Sequence, residues 1–286
     1  GKDRIGFAIA IPGRFMDIRL ISRLITAPPS PVVSQIRVNF SMVLNLLLSH
    51  TPAQVEDLLS RSFAAFMMQS TRSKRSGRFR SGYDPQFLDQ DFRRHLTFLI
   101  HNNYVHKDGT LTEDGLWASR LRVDHPLLIA ESFRLGLFEG CEPPMLAAIF
   151  AAFVYDRETD DTMDRRLIPK DLVRLFLATK RALRPFSKYL QAEGFESKTL
   201  YLRPAVAVHA WASGKTWQEV VWLSTFEEGN LASLILRTAD NLRHVRALTG
   251  AFPDIADIAA MAIDRLLRDP VTMDFSAQMS NVTPDN

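Results

Sequence analysis

Apolar residues recur at steps of three and four along most of the chain, the periodicity of helices packed by one face. From residue 113 onward the pattern predicts helices over roughly 124–138, 143–155, 169–193, 200–213, 216–223, 227–249 and 253–268. Upstream, the apolar run from Ser34 to Leu48 predicts another. Thr51-Pro52 then supplies an N-cap and a proline at the first helical position for a helix reaching about Gln69. Asp84-Pro85 opens a third, ending near Asn103. There the period changes. Tyr104 to Thr112 reads as a β-hairpin turning on Asp108-Gly109, a pair suited to tight hairpin turns. Three helices and a short hairpin make a winged helix. At the start, residues 5–11 are apolar and bounded by Pro12-Gly13, as a buried strand would be. Asp17 to Ala27 has helical spacing, and Pro28-Pro29-Ser30-Pro31 breaks the chain. One strand and one helix are too few for a domain. With Gly1 in place of a starting Met, they read as the end of a larger α/β unit.

The expected fold is mainly α. Residues 1–30 are the α/β remnant and 31–112 the winged helix, with a basic linker at 70–82. A helical bundle spans 113–270, and 271–286 is a loose tail without periodicity. A length of 286 residues with 46% hydrophobic content suits about two domains with a buried core. Lys+Arg 35 against Asp+Glu 32 leaves only +3, so nucleic-acid binding has to be argued from where charge sits. A single cysteine, Cys141, excludes an internal disulfide framework and fits a reducing cytoplasm. Its neighbours Glu139 and Glu142 should raise the thiol pKa, against a nucleophilic role. No secretory leader is visible, and the apolar run Met145 to Tyr155 is shorter than the roughly 20 residues a bilayer requires.

Candidate chemistry concentrates in two places. Arg72, Lys74, Arg75, Arg78 and Arg80 form a run with no acidic residue, able to neutralise phosphates or simply to solvate a linker. Within 228–245, helical spacing puts Arg237, Asp240, Asn241 and His244 along one side. Leu231, Leu234, Ile235, Leu242 and Val245 fall largely on the other. Such a polar face can hold phosphate together with base or sugar groups. The plainer reading is a solvated face with Arg237 and Asp240 as an exposed pair worth little. In the winged-helix segment, Arg93, Arg94, His95, His101, His106 and Lys107 could also touch nucleic acid, though a scaffold role is favoured. Ser213-Gly214-Lys215-Thr216 looks like the end of a phosphate-binding loop, but His209 stands where that loop needs glycine. Gly214 reads instead as a helix stop. His95, His101 and His106 lack metal-ligand spacing, and Arg157, Arg165 and Arg166 mark the acidic group Glu158, Asp160, Asp161 and Asp164 as a solvated loop. We therefore expect no catalytic residues, metal or cofactor in this chain.

The stretch 111–158 carries Gly115, Ala118, Ser119, Leu121 and Arg122, then Leu127, Leu128 and Glu131. Gly136 and Phe138 follow, and then Pro144, Leu146, Ala147, Ala148, Phe153, Val154 and Asp156. This order resembles the C-terminal helical (DSHCT-type) domain of superkiller-like DExH-box RNA helicases. Met42 to Leu47, then Leu58, Leu59 and Phe63, and Trp211, Ala212 and Gly214 match further family segments. Glu228, Gly229, Leu231, Arg237, Asp240, Leu242 and Arg243 resemble the family helix that lies along the RNA path, with Ser233 and Leu236 replacing two arginines of the eukaryotic pattern. The short 70–82 linker stands where eukaryotic members carry a long arch insertion, so the likeness is nearer to bacterial relatives.

The resemblance implies the accessory end of a superfamily-two, ATP-dependent helicase, bracing the motor and gripping a translocating single strand of RNA, or of DNA. The first block would close the second RecA-like motor domain. ATP and Mg would belong to the motor domains of the parent, since this chain has no Walker A loop or DExH box and should neither hydrolyse ATP nor unwind duplexes alone. The competing reading is a free-standing winged-helix regulator or adaptor that binds a duplex or a protein.

Overall fold

A computed structural model of the chain describes residues 17–27, 34, 36–67, 86–123, 125–157, 159, 163 and 165–272. The strand expected at 5–11, the basic run at 72–80, the four-carboxylate loop and the tail beyond 272 lie outside these. The helices are α1 (Ile18–Thr26), α2 (Phe40–Leu47), α3 (Pro52–Ser60), α4 (Gln86–His101), α5 (Glu113–Ala118) and α6 (Pro126–Arg134). They continue as α7 (Pro143–Val154), α8 (Lys170–Ala192), α9 (Leu202–Ala212), α10 (Trp217–Ser224), α11 (Glu228–Arg246) and α12 (Pro253–Leu266). The protein is mainly helical.

Two expected helices are cut short by their own side chains. Residues 36–39 have no regular structure, Asn39 itself is extended, and α2 begins only at Phe40 because the Asn39 carboxamide accepts from the Met42 N–H at 2.8 Å. The helix opened by Thr51-Pro52 breaks at Arg61, where the Ser62 hydroxyl accepts from the Ala65 N–H and starts a fresh turn over 63–67. The hairpin contracts to a single antiparallel bridge, Val105 to Leu111. Its turn forms as expected: Gly109 has φ +89°, and the Asp108 carboxylate accepts from the Thr110 N–H and hydroxyl.

The core is built around α7. Its sequence is apolar on every side, and every residue from Leu146 to Val154 is buried. Ala147, Ala148, Ala151 and Ala152 keep its girth small, so α9, α11 and α12 pack closely around it. Among the described residues, nearly all the buried apolar side chains form one contiguous cluster from Val38 to Val271. On its N-terminal side, Phe40, His95, Phe98 and Phe195 make an aromatic nest with ring centroids 4.7–5.2 Å apart, and the far end of α8 joins it through Phe186 and Tyr189. Around Tyr104, the Arg134 guanidinium stacks 3.8 Å from the ring centroid, pairs with Asp114 at 2.7 Å and donates to the carbonyls of Asn102 and Asn103.

Candidate nucleic-acid interface

Helix α11 sets the candidate site. Leu231, Leu234, Ile235, Thr238, Leu242 and Val245 are buried against the bundle, leaving Ser233, Leu236, Asp240 and Arg243 exposed. Arg237, Asn241 and His244 are half-buried along the edge of that face. The helix ends on Arg243, His244 and Arg246, where positive charge meets the unsatisfied carbonyls of the last turn.

The pairings differ from those the spacing suggested. Arg237 does not bond Asp240. Its Nη2 lies 2.5 Å from Oδ2 of Asp156, a residue just beyond the end of α7, and Lys198 Nζ holds the other oxygen at 3.1 Å. Burial raises the Asp156 pKa, but the hydrogen bonds and charges of Arg237 and Lys198 outweigh it, so the carboxyl ionises below its usual range. Asp240 pairs instead with Arg243, one turn along. The Asn241 amide donates to the Arg237 carbonyl at 2.9 Å. His244 lies against Arg120 and Arg122: burial and the Arg122 charge lower its pKa, against the opposing pull of Asp240 and a bond to the Arg120 backbone. The edge therefore holds a cluster of paired charges at which Arg237 and Asp156 keep 41% and 48% of their side-chain surface exposed.

Sequence spacing put Arg237, Asp240, Asn241 and His244 on one helix face, and the structure brings them to one edge. It did not point to Lys198, nor to the pairing of Asp156 with a residue 81 positions away. The motif that carries Asp156 was the one usable signal. Arg72, Lys74, Arg75, Arg78 and Arg80 lie outside the described residues.

Other candidates resolve simply. Gly214 has φ +95° and stops α9, with Lys215 N–H closing on the Ala210 carbonyl. His95 is only 5% exposed, too enclosed for a backbone contact with a nucleic acid, and Arg93 is paired with Glu56 and Asp89. Burial, not the neighbouring glutamates, raises the Cys141 pKa. Among the described residues no group of three or more His, Cys, Asp or Glu could hold a metal ion, and no helix is long and apolar enough to cross a membrane.

The family comparison matches residues 108–274 to the DSHCT (NUC185) domain. A chloroplastic DExH-box ATP-dependent RNA helicase of Arabidopsis thaliana, DExH15, is 26% identical over 195 residues, 61% of this chain and 16% of that protein. The probable helicase HelY of Mycobacterium leprae is 32% identical over 77 residues, 26% of this chain and 8% of the relative. HelY of Mycobacterium tuberculosis is 31% identical over the same length. The match thus spans well under a fifth of these relatives. Because the domain match runs from the Asp108 turn through α12, covering more than half of the sequence and every helix of the bundle, this chain belongs to the DSHCT domain family.

Proposed function

We propose that the chain is the C-terminal accessory region of an ATP-dependent DExH-type helicase, whose α11 edge grips the translocating single strand. The observation that carries this reading is the exposed charge cluster of α11. Arg237 offers guanidinium N–H groups, Asp156 offers acceptors, and Lys198 holds them in place. A donor and an acceptor side by side can meet a phosphate and a base or sugar group of one nucleotide. Asp240, Asn241 and His244 extend the same edge, and Arg72, Lys74, Arg75, Arg78 and Arg80 would add phosphate contacts.

In this reading residues 31–112 form a winged helix that braces RecA-like motor domains of the same parent, and residues 1–30 complete the second of them. The bundle occupies 113–270. ATP and Mg act in those motor domains and none is needed here. The strand is RNA, as the name of the Arabidopsis relative suggests, with DNA the alternative, and the compartment is the cytoplasm.

Arg237→Ala and Asp240→Ala test the grip. Binding of a labelled single-stranded RNA, measured across a salt series, should weaken by about 1–3 kcal/mol for Arg237→Ala, with the salt slope falling by about 1. Unchanged affinity in both variants would remove α11 from the strand path. Parallel single-stranded DNA and duplex titrations separate the RNA reading from the others.

A further inference from the structure

A cavity of about 560 Å³ opens between the segment 36–39, α4, the start of α6 and the loop that follows α8. Its size suits a small ligand. Phe40 and Phe195 line it and flank His95 edge-on, at centroid distances of 4.7 and 4.8 Å. His95 Nδ1 lies 2.7 Å from the Asp91 carbonyl oxygen, which can only accept, so that bond assigns the proton to Nδ1. Burial lowers the His95 pKa and keeps the ring neutral. Nε2 is then a bare acceptor. It has no hydrogen-bond partner among the described residues and is not sealed in the core, so its lone pair opens on the cavity.

The rest of the lining narrows the ligand. Besides the imidazoles of His95 and His125, the charged groups among the described residues that line it are Arg37 and Arg94 against Asp91 and Glu196. Two charges of each sign give an anion no advantage. A plain hydrocarbon would leave the Nε2 lone pair unmet, which is costly in an enclosed site. Arg94 is held over the Phe195 ring at 4.4 Å by the Asp91 carboxylate and the Gly194 carbonyl, so it caps that ring and fixes a donor beside the His95 acceptor. We propose that this cavity binds a neutral, nucleobase-type heteroaromatic, seated against the half-buried Phe40 and donating an N–H to His95 Nε2. The proposal does not depend on the strand-gripping reading.

The probes are adenosine, guanosine, cytidine and uridine, each titrated into the 286-residue chain and followed by saturation transfer to the ligand and by the ¹⁵N shift of His95 Nε2. At least one nucleoside should bind saturably and move that shift. His95→Asn keeps an amide donor near the Nδ1 position but loses the acceptor, and should weaken binding by about tenfold. His95→Gln, which can place its amide oxygen near Nε2, should retain most of it. Circular dichroism confirms that each variant is folded. Should His95→Asn fail to fold, the wild-type Nε2 shift and His95→Gln decide. Arg237→Ala should leave nucleoside binding intact, so failure here is distinguishable from failure of the strand grip. Absence of binding by all four nucleosides, an unmoved Nε2 shift, or full binding by folded His95→Asn overturns the proposal.

Discussion

Two glycines show how much a single position can depend on its surroundings. Gly115 and Gly229 both lie in the first turn of a helix, where Ala is ordinarily the better residue. A Cβ on Gly115 would sit 2.0 Å from the Tyr104 carbonyl oxygen, whereas one on Gly229 would meet nothing within 4 Å. Gly115→Ala should therefore destabilise the fold by about 2 kcal/mol or more. Gly229→Ala should gain about 0.5 kcal/mol. Denaturant melts of the two variants check the opposite signs. Arg134 makes a similar case. Arg134→Lys keeps the charge but loses the planar fork that stacks on Tyr104 while bonding Asp114 and two carbonyls, and should cost about 2 kcal/mol in the same assay. None of this was legible from residue type alone. Gly115 was matched as a motif position, yet its reason is a backbone atom eleven residues upstream, and Arg237 meets Asp156 only because α7 ends beside α11.

Helices from α6 onward were legible to within a few residues, because their apolar spacing and punctuation by Pro and Gly agree. The misreadings arose at starts and breaks. Asn39 and Ser62 act by bonding backbone N–H groups ahead of them, and an apolar run placed across either residue conceals this. Thr112 is the most exacting of the caps. Its hydroxyl accepts from the Gly115 N–H at 3.0 Å while donating to the Asn103 carbonyl at 2.8 Å, so it starts α5 and closes the turn after α4 together. Thr112→Ala should cost about 1–2 kcal/mol, and Thr112→Ser should recover most of it. Hydrogen exchange should show the loss first at the amides of α5.

At the scale of the molecule, the contiguous core of the described residues argues for one cooperative unfolding transition, with calorimetric and van't Hoff enthalpies in agreement. Acid sensitivity follows from the histidines. Burial lowers the pKa of His95, His209 and His244 below 6.5, so the unfolded chain takes up protons first as pH falls through that value. Stability should be full above pH 6.5 and decline below it until the folded-state pKa values are passed, seen as a falling melting midpoint. Asp156 adds a second loss, below its usual 3.8, as protonation breaks its bonds to Arg237 and Lys198.

The long α8 ties these scales together. Its 23 residues form a rod of about 35 Å, rooted at one end by Leu172 and Phe176 and at the other by Phe186 and Tyr189 against Phe98. Pro185 lies inside it and removes one N–H from its hydrogen-bond ladder. With contacts at both ends, neither half of the helix leaves the bundle without pulling on the other, so its amides should exchange as one unit.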